Sequence, residues 1–142
     1  MADDHQGPEE EGSSPEQAAI MLVLIAYEDI RQIMASLPIP IEMPPAEPVL
    51  EGESSEAIML AMISAYRIVP DAPVGAQTEF GLRILVREWL NAFELAGFIM
   101  MAGPAPWRIE ALTAMIDRMR LMSQVVTELL RMDGGDPPNR ER

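Results

Sequence analysis

The sequence predicts an all-α fold, a four-helix bundle-like domain in which the third and fourth helices form a long hairpin. Apolar residues recur at helical spacing from Thr78 to Met132, and a Gly-Pro-Ala-Pro break at 103–106 divides this stretch in two. Upstream, two further apolar stretches begin with serine and glutamate and end at proline, as helices commonly do. With 142 residues, the chain has the length of one domain that buries its own core.

The predicted domain covers residues 15–133, and both ends of the chain are predicted to be disordered tails. Residues 1–14 are polar and acidic, with glycine and proline but no apolar run to bury. Residues 134–142 follow the last helix, whose end is predicted at Gly134 and Gly135 because glycine favours the conformation that terminates a helix.

The first helix is predicted to begin at Pro15, with Ser14 as its N-cap, and to run to about Ser36. Pro38 ends it, because the residue before a proline is pushed out of the helical region. Every residue from 18 to 27 is apolar, so this part of the helix has no polar face. Such a helix is either central in the fold or buried in an oligomer.

The connection after the first helix, residues 37–53, holds five prolines and is predicted to be extended or polyproline-like. Ile39, Ile41 and Met43 alternate along it with proline and glutamate. Three interpretations follow: a strap that lies over the core through these aliphatic positions, an arm swapped with a neighbouring copy, or a ligand for a partner.

The second helix is predicted from Ser54 or Ser55 to about Val69, with Pro70 as its stop. The third helix is predicted to begin with Thr78 as its cap, and Gly97 near its end predicts either close approach of a neighbour or early fraying. Its predicted core-facing residues are Leu82, Leu85, Val86, Trp89, Phe93, Ala96 and Met100.

The fourth helix, with Pro106 in its first turn, carries apolar residues at alternating intervals of three and four residues. That spacing is typical of a seam that packs lengthwise against another helix. The seam residues are Leu112, Met115, Met119, Met122, Val126 and Leu129. Three methionines at this spacing fit ordinary core, an adaptable partner surface or thioether ligands for Cu(I).

The amount of fully apolar helix is high for a single four-helix domain. It predicts a homo-oligomer, or a subunit whose apolar surface is covered by a protein partner. An isolated bundle needs a polar side on each helix, and the first two helices lack one over much of their length. Trp107 is predicted to be either a plug between helices or an anchor of the interface. The predicted interface comprises Ile20, Leu24, Trp107, Leu112, Met115, Met119, Met122, Val126 and Leu129.

The composition predicts a protein that is not an enzyme and has no cofactor or metal. There is no cysteine, lysine is absent, and the single histidine, His5, falls in the predicted tail. These absences exclude from the domain a thiolate nucleophile, a Schiff-base lysine, a Ser-His-Asp triad and a histidine-ligated metal. No glycine-rich phosphate loop and no calcium-loop spacing occurs.

The net charge of −13 argues against binding to nucleic acid or to an anionic membrane surface. The charge is uneven, because residues 1–16 carry six acids and no base, whereas residues 104–142 carry six acids and six arginines. No apolar run approaches the length of a membrane span, and the acidic start is unlike a signal peptide. A cytoplasmic location, or assembly into a virion or large complex, is expected.

The function predicted from these features is a non-enzymatic helical interaction or assembly protein, such as a scaffold, an adaptor, or a structural or assembly subunit of a virus or phage. The alternative is an acidic regulator or inhibitor that occupies a basic site on a nucleic-acid-handling protein. The alternative predicts salt-sensitive binding that depends on the acids Glu42, Glu47, Glu51, Glu53 and Glu56.

Overall fold

A computed structural model describes residues 14–135, which are helical for most of their length and contain no strand. The all-α fold class is confirmed. The predicted tails lie largely outside the described residues, as does His5. The helices are α1 (Pro15–Ala35), α2 (Glu47–Leu50), α3 (Glu56–Ile68), α4 (Ala76–Ala102) and α5 (Pro106–Gly135), with a short 3₁₀ turn at Val69–Asp71 between α3 and α4.

The long hairpin of α4 and α5 organises the domain. Gly103 turns the chain between the two helices with a positive φ of 106°, which only glycine adopts without strain. The helices run antiparallel, since Glu88 pairs with Arg118 and Thr78 near the start of α4 bonds Asp133 near the end of α5. Helix α1 packs against both members of the hairpin, and α3 packs against α4.

Helix α1 follows its prediction closely. The Ser14 side chain accepts a hydrogen bond from the Gln17 amide at 3.1 Å, and Pro15 occupies the first turn. The apolar stretch does not bury every side: Val23 and Tyr27 lie in the core, whereas Met21 and Ile25 remain exposed on the single chain. Within the single chain, only one side of α1 is therefore packed against other elements.

The proline-rich connection lies over the core as a strap, the first of the three interpretations. Leu37, Ile41, Met43 and Ala46 are buried against the bundle, while Ile39, predicted to alternate with them, is exposed. The strap is not wholly extended, because its end forms the four-residue helix α2, which the sequence did not predict. Pro48 near the start of α2 is compatible with a first helical turn, where no amide donor is needed.

Three side chains of α1 fix the strap through its backbone. The Tyr27 hydroxyl donates to the Pro44 carbonyl at 2.6 Å, the Arg31 Nε donates to the Met43 carbonyl at 3.1 Å, and Glu28 accepts from the Ala46 amide at 2.8 Å. Burial, and then the neighbouring Glu28 carboxylate, raises the pKa of Tyr27 from 10.0 to about 12. The pKa of Tyr27 is thus higher in the folded state than in the unfolded state. The stability that the protonated hydroxyl contributes is therefore complete below pH 10 and is lost as the pH rises towards 12.

Tyr27→Phe tests this anchor. We expect the free energy of unfolding to fall by about 1 kcal/mol, because one buried hydrogen bond is lost. The Ile41 amide, which donates to the Met34 carbonyl at 3.0 Å, should exchange its hydrogen faster. Chemical denaturation and hydrogen exchange measure the two effects. Tyr66→Phe, at a partly buried position of α3, is the control, and equal losses in the two variants would contradict the anchoring role.

The start of α4 differs from its prediction. The helix begins at Ala76 with Gly75 as its N-cap residue, and Thr78 is buried within the first turn. Asp133 supplies the missing cap from the far end of the chain: its carboxylate accepts from the Gly75 amide at 3.2 Å and from the Thr78 hydroxyl at 2.9 Å. The hairpin itself thus satisfies the helix start, which local sequence could not indicate.

Two glycines of α4 have roles that differ from the prediction. A Cβ at Gly97 would meet no atom within 4 Å, so no neighbour approaches there, and the helix continues past it to Ala102. The close approach lies at Gly81, where a Cβ would stand 2.6 Å from a methyl of Val126. In α5, the helix includes Gly134 and Gly135, the two residues at which its end was predicted.

Candidate interaction surface on the hairpin

The predicted seam of α5 lies inside the domain. Leu112, Met119 and Val126 are buried, Val126 being 0% exposed, and they form part of the core that α1 and α4 cover. Met115, Met122 and Leu129, which complete the seam, are partly buried. The three buried side chains stabilise the single chain, and a partner could reach them only if the bundle opened. In the single chain, Leu112, Met119 and Val126 therefore contact α1 and α4 and are not on the surface.

The other predicted interface residues have mixed positions. Leu24 is buried, and Ile20 is partly buried and packs against the core. Trp107 is 68% exposed, so it does not plug the space between the helices. Of the nine residues, Trp107 is therefore the one whose position in the single chain most directly suits contact with a partner.

A second apolar series runs along α5, one position before the buried seam. It keeps the same alternation of three and four residues but faces solvent, and Leu121 at its middle is 65% exposed. Arg118 and Glu128 are the charged positions within it. We call its apolar members the outer stripe: Trp107, Ala111, Ala114, Leu121, Val125 and Met132, all of which are exposed.

The outer stripe lies on the side of the hairpin that α1 leaves uncovered. Helix α1 lies along Ile116, Met119 and Ser123, where the two helices border a shallow groove. At about 100° of rotation per residue, the outer stripe points away from that side of α5. Phe80 of α4 is exposed on the same side as Val125, because Gly81 packs against Val126. The hairpin is thus covered on one side only.

Ion pairs neutralise both charged positions of this surface. Arg118 pairs with Glu88 across the hairpin at 3.2 Å, and Glu128 pairs with Arg131 one turn along α5. Helix α5 carries four arginines and four acids, so it is electrically balanced in a chain of net charge −13. Exposed pairs of this kind add little stability, but they leave no isolated charge to be desolvated when the surface is covered.

The turn of the hairpin holds one end of the outer stripe in place. The Arg108 guanidinium donates to the Gly103 carbonyl at 2.9 Å, which satisfies an acceptor at the end of α4. The same guanidinium lies over the Phe98 ring at 4.7 Å and 5.7 Å from the Trp107 ring. This cation–π cluster positions Trp107 at the end of the hairpin even though its side chain is exposed.

A different apolar groove borders the strap. It has a volume of about 510 Å³ and is bounded by Met21 and Ile25 of α1 and by Leu50 of α2. Leu24 lines both this groove and a neighbouring cavity of about 260 Å³, which also contacts Ile20 and Gly97. The acids Glu28, Asp29 and Glu47 share the rim of the larger groove with Arg31.

Within residues 14–135, no three histidine or acidic side chains come together as metal ligands would. Over the same residues, none of the helices combines the length and apolar character needed to cross a membrane. A search found no matching protein-family model, no matching curated protein and no matching solved structure.

The outer stripe was missed from the sequence because its signal is weaker than that of the seam. Two of its positions are alanine and Arg118 interrupts it, whereas the seam has a methionine or an aliphatic residue at every position. The two series share one period and differ by one residue in phase. Only the direction from which α1 approaches decides which of them is buried.

Proposed function

We propose that the protein is a non-enzymatic interaction and assembly protein that acts by covering the outer stripe of α5 with another protein surface. The observation that carries the proposal is the exposure of Trp107, Leu121, Val125 and Met132 along one side of a single helix. Contiguous exposed apolar surface of this kind marks interaction sites in soluble proteins. Phe80 of α4 adds an aromatic side chain beside it.

The construction of the hairpin suits this role. The outer stripe lies on a helix of 30 residues, about 45 Å long, so its side chains are presented in a regular array. The opposite side of the helix is packed into the core, which limits the conformational entropy lost on binding. An exposed aromatic anchor at one end, Trp107, is typical of the residues that dominate binding energy at interfaces.

Leu121→Glu combined with Val125→Glu tests the proposal. We expect association to weaken at least tenfold, because two carboxylates would be buried without partners. The native mass by sedimentation, together with the proteins that co-purify from the source, measures association. Leu60→Glu with Ile68→Glu is the matched control, since it places the same charges at two exposed apolar positions of α3.

The fold should survive both double substitutions, because all four positions are exposed, and circular dichroism checks this. If the outer-stripe variant keeps the wild-type native mass and the wild-type set of co-purifying proteins, the proposal is wrong. Loss of association in the α3 control instead would move the interaction site to α3. The setting that we propose for this function is a subunit of a larger assembly, such as a virus particle.

A second candidate function is the acidic regulator of a basic site. The observation in its favour is that five acids are exposed along the strap and at the start of α3, namely Glu42, Glu47, Glu51, Glu53 and Glu56. Binding through these acids would weaken as salt screens the charges, whereas association through the outer stripe would depend little on salt. A pull-down from the source lysate at low and high salt separates the two candidates.

A further inference from the structure

We infer that a second copy of this chain covers the outer stripe, with the two α5 helices antiparallel across a two-fold axis. The inference rests on the proposed function and names the occupant of that surface. A two-fold interface uses the same surface on both copies, so that surface must be complementary to itself in charge and in shape. The outer stripe meets both conditions.

Charge is the first argument. Two copies of net charge −13 repel each other, and the repulsion is weakest where the facing surfaces are neutral. Helix α5 has four arginines and four acids, whereas residues 17–103 have eleven acids and four arginines. The electrically balanced helix is therefore the part of the chain best suited to meet its own copy. A basic partner would instead be drawn to the acidic remainder.

Shape is the second argument, and it selects the antiparallel orientation. Between Trp107 and Met132 at its two ends, the outer stripe carries the small residues Ala111 and Ala114 nearer the turn and the larger Leu121 and Val125 farther from it. An axis between Arg118 and Leu121 places Ala114 of each copy opposite Val125 of the other, and Ala111 opposite Glu128. At these two pairs a small side chain faces a larger one, as close packing requires.

The same axis gives the outer stripe two kinds of apolar pair, and it places Ala111 opposite Glu128 and Leu121 opposite Arg118 of the second copy. Ala114 lies opposite Val125 of the second copy, and Trp107 lies opposite Met132 of the second copy, where a thioether can contact the indole ring. Arg118 lies near the axis in each copy. Its ion pair with Glu88 of the same chain offsets the approach of the two guanidinium groups. A parallel arrangement would instead stack alanine on alanine and leave a gap along one half.

Single cysteines test this geometry cleanly, because the natural chain has none. Ala114→Cys and Val125→Cys are made separately, refolded alone or as a mixture, and oxidised mildly. A disulfide needs Cα atoms within about 7 Å. In the antiparallel dimer, the cysteine introduced in the first variant faces the cysteine introduced in the second, so the mixture forms a linked dimer. Two copies of the same variant hold their cysteines the equivalent of eleven residues apart along the helix axis, about 16 Å, and do not link.

Thr113→Cys mixed with Val125→Cys is the control, since Thr113 is exposed on another side of α5 and should not link. Efficient linking within each single variant would show a parallel pair and overturn the antiparallel inference. A wild-type protein that sediments as a monomer at tens of micromolar would overturn the second copy as the occupant. If Leu121→Glu with Val125→Glu still releases a co-purifying protein in that case, the proposed function stands while this inference fails. If that variant releases nothing, both fail.

Discussion

Trp89→Ala is expected to cost about 3–5 kcal/mol of the free energy of unfolding, the range seen when a large aromatic side chain is removed from a core. Trp89 is fully buried at the junction of α1 and α4, and its Nε1 donates to the Val23 carbonyl at 2.9 Å. Its ring packs 5.5 Å from that of Tyr27 and 5.1 Å from that of Phe93. The substitution leaves a cavity where these rings meet and removes the hydrogen bond between α4 and α1.

Urea denaturation followed by circular dichroism measures the loss, which is a large part of the roughly 5–15 kcal/mol typical of a domain. Trp107→Ala is the control, at a protein concentration low enough that self-association does not contribute, and should change stability by less than about 1 kcal/mol. Trp89→Phe keeps most of the volume but not the donor and should fall between the two. Similar losses at both tryptophans would contradict the assignment of Trp89 to the core and Trp107 to the surface.

Gly81→Ala and Gly97→Ala are expected to change stability in opposite directions, although both lie in α4. Alanine is the better helix former by about 1 kcal/mol, so Gly97→Ala, whose Cβ meets no atom within 4 Å, should stabilise the protein by up to that amount. At Gly81 the new Cβ would lie 2.6 Å from a methyl of the buried Val126. Overpacking of this kind costs about 1–3 kcal/mol, which exceeds the gain in propensity, so the net effect of Gly81→Ala should be a loss of stability.

Gly81→Val should be worse than Gly81→Ala, because it adds two methyl groups at the same contact and a β-branched side chain in a helix. Val126→Ala removes the opposing methyls, so Gly81→Ala combined with Val126→Ala should cost less than the sum of the single losses. A double-mutant cycle from chemical denaturation measures that coupling. Additive losses would show that α4 and α5 do not meet at this pair.

Much of the secondary structure follows from local chemistry. The Ser14 and Pro15 start of α1, the stop of that helix before Pro38, and the Gly103 turn of the hairpin were all predictable, because capping and backbone restriction act within a few residues. Helix α2 was not, because four residues within a proline-rich segment carry no periodic signal. The N-terminal cap of α4 was not predictable either, since Asp133 reaches it from a distant part of the chain.

The candidate surface shows the same division between features that local sequence predicts and features that tertiary packing decides. The sequence contained the period of α5 and identified Trp107 as a candidate anchor, but Leu112, Met119 and Val126 proved to be core. Leu121 and Val125 follow the same period one position earlier, and nothing within the helix distinguishes their phase from that of the seam. Apolar periodicity alone therefore selected the seam, which has an apolar residue at every position. Such a series is the one that a bundle buries in its own core.

By itself, the sequence determined that this chain forms long apolar helices broken at defined prolines and glycines, and that it contains neither cysteine nor lysine. The tertiary structure decided how those helices use their surfaces: which side of α5 receives α1, that the proline-rich segment becomes a strap tied by Tyr27, and that Asp133 caps α4. The physical reason is the distance along the chain over which each effect acts. Propensity and capping act within one or two turns, whereas burial is decided by the direction from which a distant helix approaches.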